Sequence, residues 1–428
     1  LAPLSIIDNK PFLQEGWHYE LNDLNDPLAI KGVVYNEMKG ATATVNSKLM
    51  YFANEQIYKG SNYEYNSGGD PEVIPTLTYK YYQEFYKKHY HPSNGLIYLY
   101  GKMDIVKKLK FFDEEYLSKY DDNVEKITIK EINPIINLDA CKYYPIDKND
   151  SEKDNTYFAL SFALCKYENA LELKALQIIN EVLMESNDSY LKKALLDANL
   201  GQDVSSYIND GAILPTFNIL LKKSNIDQKE KFYETFINTC KKIVKEGLDK
   251  KALLATINNA EFKNKEMDSG NDPKGLYMAF SLMQCFNYNI PFEDYLEYQK
   301  YFDFYKKEIN NGYFEKLIEK YFLNSNHYTL VTLLPSKTLQ EENEKKLIEK
   351  LANIKNSMSD EQLKELIQEN KKLNKYQSHI DTKEELACLP SLKLNQIHYF
   401  VPTIPTKKIQ KDKTKYLYHN LQTNGIGY

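Results

Sequence analysis

No two cysteines in this chain lie close together. The five, Cys141, Cys165, Cys240, Cys285 and Cys388, are widely spread and make no Cys-x-x-Cys pair. The odd number and the spacing favour reduced, mostly core thiols over a disulfide framework or a structural zinc site. No run of about twenty apolar residues exists, so no spanning helix is expected. Sixteen glycines and fifteen prolines are too few for a fibrous or disordered chain. No Walker loop, Rossmann glycine pattern or Gly-x-Ser-x-Gly elbow is present. No basic stripe with interleaved glycines or stacked aromatics stands out, which argues against nucleic acid as a partner. Leu1 to Asp8 lacks the basic region and apolar core of a signal peptide. It also lacks an initiator Met, so a chain that is processed, cut or begun internally is expected.

What is there fits a soluble globular protein. The hydrophobic fraction is 42% and the charged fraction 27%, with a net charge of -5 spread along the whole chain. The 428 residues suggest two or three domains. Tyrosine is unusually common, at 36. The locally basic phrase Lys408 to Lys415 reads as a solvated loop.

Periodicity predicts an α+β order. Ile30–Lys39 reads as a helix start, and 47–58 as a helix with Leu49, Met50, Phe52, Ala53 and Ile57 inward. Thr78 is a good N-cap for a helix reaching His89. Gly95–Tyr100 reads as a strand and Met103–Tyr120 as a further helix. Residues 121–154 read as a connection. Strands follow at 156–164, 212–221 and 327–334, separated by helices at 170–184, 189–198, 228–246 and 250–267 and by further helical segments within 273–323. Two charged helices, 341–354 and 359–376, read as an antiparallel arm, solvated on most of its surface. Residues 380–428 read as an extended strap, with Tyr416–Tyr428 a strand.

The titratable inventory is thin for catalysis. Seven histidines, His18, His89, His91, His327, His379, His398 and His419, include no His-Glu-x-x-His or His-x-x-Glu-His. A catalytic zinc needs three protein ligands and an open position, and the sequence offers no compact set. His89 and His91 read as a cap and a turn residue. Glu37 alone would read as a solvated helix glutamate, and Gly68-Gly69 as a permissive turn closed by Asp70-Pro71.

Five phrases change that reading: Gln14-Glu-Gly-Trp-His-Tyr-Glu-Leu21, Lys31-Gly-Val-Val-Tyr-Asn-Glu-Met-Lys-Gly40, Asn66-Ser-Gly-Gly-Asp-Pro71, Leu77-Thr78 and Tyr90-His-Pro-Ser-Asn94. Together they resemble the presequence protease and falcilysin branch (subfamily C) of the pitrilysin/insulysin, or M16, inverzincin metallopeptidases. Later pieces agree: Gly201-Gln-Asp203, Ser269–Gly275, the paired helices, Gln377, Leu386–Leu392 and Thr423-Asn-Gly425. The resemblance covers nearly the whole chain.

It implies tandem split α/β sandwich domains, each an antiparallel sheet with helices packed on it, followed by a helical hairpin linker. Residues 1–125 would be the C-terminal part of the zinc-carrying domain, and 126–337 the second domain. Residues 338–395 would be the hinge, and 396–428 a strap and the start of a third domain. It also implies a Zn2+ cofactor in the intact protein. An inverted His-x-x-Glu-His helix, absent here, would supply two ligands and the base that activates water. Glu37 would be the third metal ligand, with no catalytic residue in this chain. The substrate would be short or unfolded peptides enclosed in a chamber. The partners would be the missing N- and C-terminal parts of the same polypeptide, or a complementary chain, with neither nucleic acid nor membrane. The compartment stays open between bacterial cytosol, periplasm and an organelle. The chain alone is expected to be inactive and to expose an incomplete sheet. Two alternatives stand beside the fragment reading: a catalytically inactive M16-like peptide-binding or assembly subunit, and a generic α+β interaction protein with a helical arm.

Overall fold

Two short strands, β1 (His18–Glu20) and β2 (Ala29–Lys31), pair antiparallel and deliver the chain into helix α1 (Val33–Ala41). The computed structural model describes residues 3–121, 129, 131–267, 270–397 and 403–421. Thr44 accepts the Ser47 amide at 3.1 Å and starts α2 (Val45–Ile57). Leu49, Phe52, Ala53 and Ile57 are buried as the periodicity predicts, whereas Met50 is 38% exposed. It stands about 100° round the helix from Leu49, at the edge of the inward face.

Thr78 caps α3 (Tyr79–His89) by accepting the Tyr81 amide at 3.1 Å, and Asp104 caps α4 (Ile105–Glu115) in the same way. The strand predicted at Gly95–Tyr100 does not form. Among the described residues, the only ladder of the first 121 is β1 with β2. A branched, aromatic segment needs a neighbour to satisfy its backbone, and none is beside it. For the same reason α3 and α4 bury no residue, and Tyr81, Phe85, Tyr100 and Leu109 are exposed.

The second unit is built on one sheet. Its elements are β3 (Leu138–Pro145), β4 (Thr156–Ala163), α5 (Ala170–Met184), α6 (Tyr190–Asp197), β5 (Asp203–Asn209) and β6 (Thr216–Ser224), then α7 (Lys229–Glu246), α8 (Lys250–Glu266), α9 (Lys274–Asn287), α10 (Gln299–Glu308), α11 (Tyr313–Ile318) and β7 (Tyr328–Ser336). The strand order is β3-β7-β4-β6-β5. Every pairing is antiparallel except β3 with β7, so the sheet is mixed rather than purely antiparallel. Three details depart from the sequence reading. β3 lies inside the supposed connection 121–154, β5 was not foreseen, and β6 begins at Thr216, just past Pro215, rather than at Ala212.

The two faces of β4 explain the layers. Phe158, Leu160 and Phe162 join the large core beneath α5, α7 and α11. Tyr157 and Ala159 face the other way, with Leu220, Val331 and Leu333, and are covered by Leu49, Phe52 and Ala53 of α2. β4 is buried at every position because it is covered on both sides. A helix of the first unit therefore forms part of the second unit's core.

The arm is α12 (Leu339–Asn356) and α13 (Asp360–Gln377), the latter opened by a Ser359/Gln362 capping box. Most of its surface is solvated, yet it is not free. Leu363 packs with Leu21 and Leu28, and the Asn370 side chain accepts the Leu21 amide at 2.6 Å and donates to Tyr19 O at 3.0 Å. An exposed hairpin, β8 (Thr406–Lys411) with β9 (Thr414–His419), follows. The strand read at Tyr416–Tyr428 is thus β9 at its start, and its last seven residues lie outside the described residues, as do His398, Ser269 and Thr423–Gly425. The architecture is α+β, a sheet with helices packed on it and a helical hairpin behind. Among the described residues no helix is long and apolar enough to cross a membrane.

Candidate functional site

Glycine fixes where α1 starts. Gly32 has φ 142°, and a Cβ there would lie 2.2 Å from the Gly16 carbonyl oxygen. Only a residue without a side chain lets the two backbones approach so closely. The helix then turns Tyr35 and Met38 inward, where they pack with Ile74, Trp17 and Ile30. A second glycine holds the other side. A Cβ on Gly68 would lie 2.3 Å from Met38 Sδ, so the Asn66–Pro71 loop seats directly on the Met38 side chain, which would have to shift for any larger residue. Asn66 and Asp70 shape that loop, accepting the Gly68 and Glu72 amides at 3.1 and 2.7 Å. Trp17 completes the cluster by donating its indole N–H to Leu77 O at 2.8 Å.

Four of the five phrases thus meet around one helix. Tyr90–Asn94 stands apart as a local turn, in which Asn94 donates to His89 O at 3.0 Å and His91 Nδ1 accepts the Ser93 amide at 3.3 Å. His91 caps the Pro92–Asn94 turn, whereas His89 is the last residue of α3 and its C-cap is Tyr90.

Glu37 lies on the outer face of α1 and is exposed. Among the described residues its carboxylate has no hydrogen bond or ion pair, and no set of three possible ligand atoms gathers around it. A lone exposed carboxylate does not hold zinc, which needs three protein ligands. The described residues therefore do not fit the ion by themselves. What they do provide is a carboxylate free to ligate, on a helix whose back is pinned by packing.

The structure also brings together a set that the sequence reading missed. His379, Asp381 and Glu385 are the only three described residues whose ligand atoms lie within 4.8 Å of one another. His379 Nε2 is 3.9 Å from Asp381 Oδ1 and 3.5 Å from Glu385 Oε2. The signal was a His-x-Asp spacing just before the Thr382/Glu385 capping box that opens Lys383–Ala387. All three side chains are exposed, and Glu385 already accepts the Thr382 amide at 2.7 Å.

The first unit is also tied to the second through tyrosine hydroxyls. Tyr63 OH and Tyr288 OH are 2.8 Å apart, and Tyr288 donates to Gly211 O at 2.8 Å. Tyr58, fully buried, donates to Leu214 O at 2.9 Å.

Residues 76–260 match the family described as "Peptidase M16 inactive domain", and residues 333–428 match the associated region of peptidase M16, subfamily C. Protein HypA of Clostridium perfringens is 37% identical over 418 residues, covering 97% of this chain and 43% of that protein. Presequence protease 1, chloroplastic/mitochondrial, of Arabidopsis thaliana is 34% identical over 443 residues, covering 100% of this chain and 40% of that protein. The chain thus spans about two fifths of the length of the curated relatives it matches. Among solved structures, a Helicobacter pylori protease aligns with a TM-score of 0.53 at 16% identity, over 71% of this chain and 70% of that one. The first half of the Escherichia coli periplasmic protease PqqL aligns with a TM-score of 0.50 at 14% identity, over 78% and 69%. These two show the shared fold, while the family matches and the sequence relatives carry kinship: the chain belongs to the M16 peptidase family, in its subfamily C, the presequence protease branch.

Proposed function

We propose that this chain is one portion of a zinc metalloendopeptidase that hydrolyses short or unfolded peptides in a closed chamber. Glu37 supplies one zinc ligand, and two histidines and the base come from outside this chain. In this reading residues 1–125 belong to the zinc-carrying domain, 126–337 form the second domain, 338–395 the hinge, and 396–428 lead into a third. The observation that carries it is the free Glu37 carboxylate on a helix locked from behind by Gly32 and Gly68.

The test is metal analysis and peptide hydrolysis on the intact natural polypeptide, with its mass measured under denaturing conditions. About one zinc per polypeptide is expected. Glu37→Gln should remove most of it and cut hydrolysis of an unfolded peptide by at least about a hundredfold, since even outer-shell losses reach that size. Full zinc loading and activity in that variant would overturn the assignment. A second reading is a non-catalytic peptide-binding or assembly subunit. The "inactive domain" description of the match over 76–260 favours it. A natural polypeptide of about 50 kDa with no zinc would select it.

A further inference from the structure

A cleft of about 640 Å³ opens in the second unit, away from α1, between α5, α8 and α9. That is the size of a small-molecule site. Its apolar wall includes Ile178, Tyr298 and the buried Phe302. Lys174 of α5 lines it, half-buried, with its ammonium 5.3 Å from the centre of the Tyr295 ring. Among the described residues no carboxylate comes within ion-pair distance of that ammonium, whose attractions are to the Tyr295 ring and, from further off, to Asp210 and the Cys285 thiol. Burial pulls the Lys174 ammonium below the usual lysine range, the mark of a cation short of a counter-ion. The other lysine of the cleft is spoken for, since Lys263 pairs with Glu181 at 3.5 Å.

Two amides that line the cleft are turned in opposite senses. Asn180 accepts the Ser206 hydroxyl on its carbonyl oxygen at 2.6 Å, which leaves its N–H groups for a ligand. Gln177 commits its N–H to Asp210 at 3.0 Å, which leaves its oxygen as an acceptor. A cation and an amide donor thus stand over an apolar wall.

We propose that this cleft binds a small carboxylate carried on an aromatic or aliphatic body, with Lys174 holding the carboxylate, Ile178, Tyr298 and Phe302 the body, and Asn180 offering a further donor on the wall. The site uses residues of the second unit alone and does not rest on the peptidase reading. The ligand chemistry has two sources: the C-terminal end of a peptide, or a free organic acid.

The test is calorimetric titration of the intact natural polypeptide with N-acetyl-L-phenylalanine and with its neutral amide. The acid should bind at least about tenfold more tightly than the amide, the worth of one charge-assisted contact. Lys174→Gln should bring the acid down to the level of the amide. Equal binding of acid and amide to the unmodified chain would overturn the proposal, and needs no variant to fold. So would no heat from either probe up to about 10 mM, or an unchanged preference for the acid in Lys174→Gln. Gly-Gly-Phe and 3-phenylpropionate separate the sources. Tighter binding of the tripeptide assigns the site to peptide ends, through the Gln177 oxygen. Equal or tighter binding of the free acid assigns it to small acids.

Discussion

Gly32 and Gly60 both hold left-handed φ angles, 142° and 84°, but only Gly32 is also crowded. An added methyl at Gly60 would meet nothing within 4 Å, whereas at Gly32 it would enter the Gly16–Trp17 backbone. Gly60→Ala should therefore cost only backbone strain, on the order of 1 kcal/mol, and Gly32→Ala clearly more than the roughly 3 kcal/mol at the top of that range. Urea midpoints of the two variants check this, and equal shifts would refute the close-approach account. Glu261 offers a second residue-scale test. It is 8% exposed, and burial alone would raise its carboxyl. Hydrogen bonds from Lys265 at 2.7 Å, from Lys306, and from Gln299 at 2.9 Å outweigh burial and hold it at about 2, against 4.5 when unperturbed. A depressed carboxyl stabilises the fold above its unfolded value and loses that contribution as pH falls from about 5 toward 2. It is worth on the order of 3 kcal/mol at neutral pH. The stability gap between the native chain and Glu261→Gln should close by most of that amount between pH 7 and pH 3, and a constant gap would count against it. The sequence pointed to Glu37 only through the company of its phrase. Nothing in it showed that Gly68 would sit on Met38, because that contact joins residues thirty apart by shape alone.

At the scale of elements, the long periodic segments were legible and the short edges were not. α5 spans the predicted Ala170–Met184 because an apolar stripe of that length has one reading. β3 and β5 escaped because they are the two edge strands, half-exposed and polar, with Pro145 closing β3. Gly95–Tyr100 failed in the opposite direction: its residues are those of a strand, but a ladder needs a neighbour. The arm was legible as helices and not as a docked element. Its attachment combines the Leu363 packing on Leu21 and Leu28, Lys355 donating to Leu24 O at 2.7 Å and to Asp26 O, and the buried Asn370, which serves a backbone N–H and a backbone C=O of the first unit at once. Asn370→Ala leaves both unsatisfied and should cost about 1–3 kcal/mol. Hydrogen exchange at the Leu21 amide should quicken in step, while the capping box at Ser359 stays protected. An unchanged Leu21 rate would show that the Leu363 packing and the Lys355 contacts hold the arm without Asn370.

At the scale of the whole molecule, the two units share a core rather than merely touching. Phe52 of α2 is 7% exposed and sits in the cluster formed by Tyr157, Ala159, Leu220, Val331 and Leu333 of the sheet. The same helix runs on to Tyr58, and the chain then reaches Tyr63 and its bond to Tyr288. Unfolding of the first unit must therefore strip one face of the sheet, which makes the two units cooperative. Phe52→Ala should cost about 3–5 kcal/mol, the usual range for emptying a buried aromatic position. The loss should fall on the coupling more than on the second unit, whose other face keeps the larger core under α5, α7 and α11. The single tryptophan makes this measurable, because Trp17 lies in the first unit against Tyr19 and Leu77. Its fluorescence follows the first unit, and far-ultraviolet circular dichroism follows the bulk of the helices and the sheet. In the native chain the two urea transitions should coincide. In Phe52→Ala the fluorescence transition should move to lower urea and separate from the dichroism transition. Two transitions that stay together and move by the same amount would mean that α2 belongs energetically to the second unit, and that the boundary between the units lies before it.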